Sequence, residues 1–353
     1  MRNPSTRRNL MATTTICSAL MMAAPALLAT IALFPTIASA QDYTSGALIG
    51  SVSDSNGAPV AGAVVTLTST AQNQARTLTS STAGSFSATG LQPGDYTVSV
   101  EAPGYDKYDA TVSVVISQEV RIDAALQTTG AVQTVVVKAK RVRQDFTKTT
   151  TGLTVDLDTL VSQQPIARNL TAVTMLAPTV SAGNPGFGTG ARAVASFGGG
   201  SVAENAYYID GLNITNPDTY ISSARVPFDF YKTVEVKTGG YAAEFGRATG
   251  GVVNATTKSG TNEFRFAVHG NYQPTDLRND QLDTYDYRGK FSSVQDNSLS
   301  VEAGGPIIKD RLFAYGLYQF NDYAETKAGI NTGTYTKTKN TDPFLGLKLD
   351  GYI

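Results

Sequence analysis

Cysteine and histidine each occur once in the 353 residues, and tryptophan does not occur at all. A disulfide-stapled scaffold needs cysteine pairs, so that class is excluded. A zinc site built from His and Cys lacks ligands. Charge is scarce too, at 16% of residues, against roughly 25% in an average soluble domain. The 28 Lys+Arg and 29 Asp+Glu nearly cancel to a formal net charge of −1, so the basic surplus of a nucleic-acid binder is missing. Disorder is excluded from the other side, because 41% of the residues are hydrophobic and such a chain can bury a core. What is abundant is glycine (33), tyrosine (17) and phenylalanine (14), with much Ser and Thr. That is the composition of a mainly β protein of two or more units.

Residues 1–40 read as an address. Arg2, Arg7 and Arg8 precede a mostly apolar stretch from about Leu10 to Ile37, and Ala38-Ser39-Ala40 supplies a small-x-small cleavage pattern before Gln41. This is the order of parts in a secretory signal peptide. A membrane anchor fits less well, because Thr13–Thr15, Pro25 and Pro35 interrupt the run and no basic stop-transfer flank follows. Cys17 falls inside the segment expected to be removed. No later span approaches the ~18 uninterrupted apolar residues of a membrane helix.

Residues 42–126 show a period of two. Ala63, Val65 and Leu67 alternate with Val64, Thr66 and Thr68, and Tyr96, Val98 and Val100 alternate with Thr97, Ser99 and Glu101. Val120, Ile122, Ala124 and Leu126 repeat the pattern. Each fits a strand with one buried face. Asn56-Gly57, Ala83-Gly84, Pro93-Gly94 and Pro103-Gly104 separate the strands, and these pairs supply the special φ values of tight turns. About seven short strands at this spacing predict a β-sandwich. The detail resembles the carboxypeptidase regulatory-like domain through Gly50-x-Val52-x-Asp54, Gly57-x-Pro59-Val60-x-Gly62-Ala63, Gly84-x-Phe86 and Leu91-x-Pro93-Gly94-x-Tyr96. In that family the module is a non-catalytic appendage. A recognition module and a periplasmic spacer both remain open for it.

Residues 127–145 change character, from Thr128-Thr129-Gly130 through Val135-Val136-Val137 to Lys138, Lys140, Arg141 and Arg143. The segment reads either as a plain linker or as an extended strand able to join the open edge of a partner's sheet. Residues 146–261 hold short strands and one helix candidate. Asn169–Ala177 is apolar at Leu170, Val173, Leu176 and Ala177, and Pro178 stops it. The glycine-rich run from Gly183 to Gly200 lacks the flanking strand, helix and Lys of a phosphate cradle, which leaves an exposed flexible tip. No Ser/His/Asp set, metal cluster or carboxylate pair is placed for catalysis, so the sequence points to no enzyme and no cofactor.

Three blocks then carry a close family resemblance: Tyr207-Tyr208-Ile209-Asp210-Gly211-Leu212-Asn213-Ile214, Val234 through Asn254 with its Gly239-Gly240-Tyr241-Ala242-Ala243-Glu244-Phe245-Gly246-Arg247 centre, and Thr257-Lys258-Ser259-Gly260-Thr261. They are similar to the plug domain of TonB-dependent outer-membrane receptors, in the branch with an N-terminal carboxypeptidase regulatory-like domain. The resemblance implies a TonB box at Gln133, Thr134, Val135, Val136 and Val137. It implies a plug–barrel latch at Glu244 and Arg247, charges that a lumen would pair. Gly186, Phe187, Arg192, Phe197, Asn213, Asn216 and Tyr220 become candidate ligand-facing positions on plug loops. Asp210 reads as a turn or packing residue.

From residue 262 onward Phe264, Phe266, Val268, Gly270 and Tyr272 alternate with Arg265, Ala267, His269 and Asn271, with lipid expected on the first face and lumen on the second. Leu299–Ala303, Leu312–Asn321 and Leu345–Gly351 are further strands, the middle one aromatic on both faces and unassigned. Their connections, about 273–290, 305–310 and 322–342, should run long, short, long. The 92 residues from 262 to 353 accommodate about four strands of the ~22 that plugged transporters use, so the chain is expected to be part of a longer protein.

The resulting expectation is a mainly β protein: a seven-stranded sandwich (42–126), a linker (127–145), a mixed α+β plug (146–261) and the first strands of a membrane barrel (262–353). By resemblance it sits in the outer membrane of a Gram-negative bacterium as a monomeric barrel in outer-membrane lipid, with the sandwich in the periplasm. It would bind an extracellular ligand (carbohydrate, peptide or metal chelate) and import it with energy from the TonB complex. An adhesin or surface-assembly protein on the same fold is the alternative.

Overall fold

The computed structural model describes residues 44–129, 150–184, 187, 194–241, 243–277, 283, 288–329 and 335–352. The signal-peptide reading falls outside them. The described chain is mostly strand, in three successive β units.

The first unit has seven strands: β1 (Gly46–Ser53), β2 (Val64–Ser69), β3 (Ala75–Thr79), β4 (Ser85–Leu91), β5 (Gly94–Glu101), β6 (Tyr108–Val114) and β7 (Glu119–Ala125). They form a three-stranded sheet in the order β4-β1-β7 and a four-stranded sheet in the order β3-β2-β5-β6. The inward residues include those that the period-two pattern marks, among them Val65, Leu67, Val98, Val100, Ile122 and Ala124, and Leu48 and Val52 of β1 join them. Each Val, Leu or Ile among them, fully buried, contributes about 1.5–3 kcal/mol. Gly57 and Gly104, both at φ 84, make the turns that β-carbons would strain.

The second unit is built on a five-stranded sheet. Its elements are β8 (Thr151–Asp156), α1 (Leu157–Gln163), α2 (Leu170–Thr174), β9 (Val180–Ala182), β10 (Ala195–Phe197), β11 (Ala206–Ile209), β12 (Leu212–Asn213), β13 (Tyr231–Gly239) and β14 (Val252–Thr257). The sheet order is β12-β11-β14-β13-β8, with β11 and β14 parallel, and β9 pairs with β10 apart from it. Val234, Val236, Val253 and Ala255 on one face pack against Leu157, Val173, Phe197 and Tyr207. The opposite face carries Thr233, Glu235, Lys237, Asn254 and Thr256, all buried as well. Helix α2 starts as read, with the Asn169 side-chain oxygen accepting from the Ala172 amide at 2.8 Å, but it is shorter than its pattern suggests and ends at Thr174 rather than running on to Pro178. Helix α1 was not expected. Asp156 caps it by accepting from the Thr159 amide at 2.9 Å.

The third unit is an antiparallel meander of β15 (Arg265–Asn271), β16 (Ser293–Ile308), β17 (Leu312–Ala328), β18 (Tyr335–Asn340) and β19 (Phe344–Gly351). Both β18 and β19 pair with β17, so they are one wall strand broken at Thr341-Asp342-Pro343, where proline cannot donate to a ladder. The connections differ from expectation. The predicted turn at 305–310 contracts to Lys309–Arg311, because Gly304, Gly305 and Pro306 stay in the strand. A β-carbon on Gly305 would lie 2.3 Å from the Phe264 ring, so that glycine lets the aromatic lie across the sheet. The predicted loop at 322–342 is mostly strand. The meander has two faces. Phe264, Phe266, Val268, Leu299, Phe320, Leu345, Leu347 and Leu349 are exposed on one. Ser300, Phe313, Tyr315 and Leu317 are buried on the other, which settles the orientation of the doubly aromatic strand.

Candidate functional site

At one end of the second unit the loops fold by side-chain to backbone bonds. The Asn213 carboxamide oxygen accepts from the Thr215 amide at 2.9 Å, and Asn216 accepts from Asp218 at 2.9 Å and Thr219 at 3.3 Å. These are the Asx turns that short polar side chains favour. Tyr220 (φ 57) and Arg247 (φ 64) both hold the left-handed region, which costs energy in non-glycine residues. The Arg247 loop is fixed from beneath. Phe245 is buried against Tyr208, edge to face at 5.5 Å, and Lys237 Nζ lies 4.7 Å from its ring centre. Tyr241 OH donates to the Ala248 carbonyl at 3.0 Å.

Arg247 therefore stands over Tyr220. Its guanidinium carbon is 4.3 Å from the ring centre, and Nη1 donates to the tyrosine oxygen at 3.1 Å. The two close one side of a cleft of about 440 Å³, whose other walls include Glu204, Asn205, Asn213 and Thr215. A fixed cation, an aromatic face, a carboxylate and amides around one opening suit a polar ligand of mixed hydrogen-bonding character.

The second unit meets the meander through a separate polar cluster. Lys258 Nζ lies 3.1 Å from both oxygens of Glu302 and 3.7 Å from Asp158. His269 Nε2 is 3.2 Å from Glu302, and Tyr315 OH donates to the same carboxylate. Asp229 is bound by Arg168 and accepts from Ser300 Oγ at 2.9 Å. Lys348 Nζ is 3.6 Å from Asp210, which also receives the Thr257 amide at 3.0 Å. Apolar contact continues the seam: Phe230 lies 5.8 Å from Tyr315 and 5.6 Å from Phe344 between ring centres.

The predicted site residues scatter accordingly. Gln133, Thr134, Val135, Val136 and Val137, with Gly186 and Arg192, lie outside the described residues. Phe187 is exposed. Asn213 and Tyr220 join the cleft, and Asn216 shapes its rim. Phe197 is a correction. It is 2% exposed in the core of the second unit, because β10 turns it inward and Gly251 makes room for its ring. Glu244 and Arg247 are both exposed, and among the described residues no ion pair joins either to these first wall strands. Lys258, Asp229 and Glu302 hold the seam with them. The signal for Glu302 lies in strand parity, one step from the outward Val301 and Ala303. Asp210 is a turn residue, as read, at φ 45, and it is exposed rather than packed.

Burial pushes the Glu235 carboxyl above its ordinary value, opposed by Lys237 at 3.5 Å. Among the described residues no helix is long and apolar enough to cross a membrane, and no group of three His, Cys, Asp or Glu could hold a metal ion.

Residues 47–127 match the carboxypeptidase regulatory-like domain, and residues 144–252 match the TonB-dependent receptor plug domain. The TonB-dependent transporter Oar of Myxococcus xanthus is 28% identical over 300 residues, covering 80% of this chain and 27% of its own length. The chain thus spans about a quarter of that curated relative. Among solved structures, the siderophore receptor PirA of Acinetobacter baumannii is 22% identical, with 50% of this chain and 28% of that chain covered at a TM-score of 0.38. The minor pilin GBS52 of Streptococcus agalactiae is 20% identical, with 28% and 49% covered at a TM-score of 0.22.

Proposed function

We propose that this chain, which matches the TonB-dependent receptor plug domain behind a carboxypeptidase regulatory-like domain, serves in an outer-membrane receptor that imports a polar ligand. The observation that carries this reading is the sidedness of the meander. Its outer face is an exposed apolar sheet, and its inner face meets the plug through Glu302, Ser300 and Lys348, the arrangement of a wall between lipid and a plugged lumen. The cleft at Tyr220 and Arg247 is the plug's contribution to ligand capture. The ligand class is carbohydrate, peptide or metal chelate, since each offers hydroxyl, amide or carboxylate groups to the cleft.

Import needs work. In this reading Gln133–Val137 adds as a strand to the sheet of the TonB protein, which pulls on the plug through β8, the edge strand of its sheet. The sandwich stays on the periplasmic side. Deleting residues 133–137 from the full-length receptor should leave ligand binding to whole cells intact and reduce uptake to background. Uptake at the wild-type rate would overturn the reading.

A further inference from the structure

The sandwich and the meander are tied together by hydrogen bonds between residues far apart in the chain. The loop between β2 and β3 supplies one side. Asn262, in the joint between β14 and β15, donates its amide to the Ala71 carbonyl and its Nδ2 to the Gln72 carbonyl, each at 2.9 Å. Gln72 is only 4% exposed. Its Nε2 donates to the Gly260 carbonyl at 3.0 Å, and its Oε1 accepts from Tyr352 OH at 2.5 Å. Asn73 Nδ2 donates to the Asp310 carboxylate at 3.2 Å, and Gln74 donates to the Asp310 carbonyl. Asp310 and Asn262 close the set on each other: the Asp310 amide donates to Asn262 Oδ1 at 2.9 Å, and Asn262 Nδ2 reaches the Asp310 carboxylate at 2.8 Å.

Asp310 is the tip of the short turn between β16 and β17, and Tyr352 directly follows β19, so the wall's partners lie at one end of it. Beside the contact, the sandwich stands off. A cavity of about 1060 Å³ opens between Thr70, Gln92 and Tyr96 on the sandwich and Lys232, Glu302 and Lys348 opposite. The attachment is therefore a corner, polar in composition, and its groups can return to water on parting.

We propose that residues 71–74 are a docking tab that seats the sandwich reversibly on the periplasmic turn at Asp310 and on the plug–barrel joint at 260–262. The sandwich is then a braced part of the receptor, and both ends of the 130–149 segment are anchored. The dock does not depend on import, whereas its mechanical consequence rests on the proposed function.

The test uses the full-length receptor in isolated outer membranes. Asn73→Cys is combined with Asp310→Cys and treated with a short bismaleimide. Trypsin then cuts the linker at Lys138, Lys140, Arg141 and Arg143, and a denaturing gel shows whether the sandwich remains covalently held. More than half of the chains should keep it. Thr70→Cys with Arg311→Cys leaves every docking side chain in place and should behave the same way. Adding Gln72→Ala and Asn262→Ala to that second pair should lower the yield at least five-fold at an unchanged amount of receptor in the membrane. If both pairs link no better than Asn73→Cys with Lys339→Cys, whose second site is at the other end of the wall, the dock does not exist. An equal yield with and without the two alanines would also overturn it.

Discussion

At the scale of single residues, two side chains carry separable expectations. Glu235 sits in the buried polar face of the plug sheet, and burial raises its pKa. The folded state then holds the proton more tightly than the unfolded chain. Stability is unaffected below the ordinary carboxyl range and falls as pH rises from there through the raised value. The protection factors of the β13 amides, that is, their exchange relative to the intrinsic rate at each pH, should fall over that window in the full receptor. Glu235→Gln should flatten the profile, and a profile that keeps its slope would assign the effect to another group. Arg247 is the second case. It is exposed and its partner is Tyr220, so Arg247→Ala should leave the thermal midpoint within the scatter of surface substitutions while weakening ligand binding about ten-fold or more. Unchanged affinity in a cell-binding titration would remove Arg247 from the site. The sequence singled out Arg247 but not its contact with Tyr220, because the order of letters says nothing of which way a left-handed loop residue points.

Among the elements, the seam between plug and wall is the sensitive one. Gly346 faces inward on β19, and a β-carbon there would lie 2.6 Å from the Phe230 ring. Gly346→Val should therefore overpack the seam at a cost of about 1–3 kcal/mol, lowering the thermal midpoint of the plug in the full receptor. An unchanged midpoint would mean that the plug does not bear on this strand. The elements themselves were legible where one face is buried and the other wet. The sandwich strands show this in Val98 and Val100 against Thr97 and Ser99. Legibility failed where both faces are occupied. β17 is aromatic on each side because Tyr315 meets the plug while Phe320 faces outward. β10 was hidden because a glycine run brackets it, although Ala195, Ser196 and Phe197 are all buried. The strand ends were misplaced for a related reason: Gly304, Gly305 and Pro306 look like a turn in sequence, but there they serve close approach within a sheet.

For the whole molecule, the exposed apolar face decides the medium. Leu347 is 74% exposed on the outer face of the wall. Leu347→Arg in the full receptor should cost about 2–4 kcal/mol if it lies at mid-bilayer depth, read as the urea midpoint in lipid vesicles. Lys337→Ala, higher on the same face, should change that midpoint little, and equal effects would contradict the placement. In the proposed membrane wall, the register sets how deep the protein sits. Outward residues from Ile307 to Leu299 are apolar, and from Asn297 and Gln295 upward they are polar, opposite Asp322 and, on the next strand, Lys339. Eight steps at about 3.3 Å each, tilted by about 40°, give a belt of roughly 20 Å, near the ~25 Å of outer-membrane barrels. The broken strand at Thr341–Pro343 begins just above that belt. The chain thus carries its own waterline. A strand inserted one residue out of register would bring Glu302 to the oil and Leu299 to the plug, so the depth of the receptor and its internal seam are fixed by a single choice of pairing.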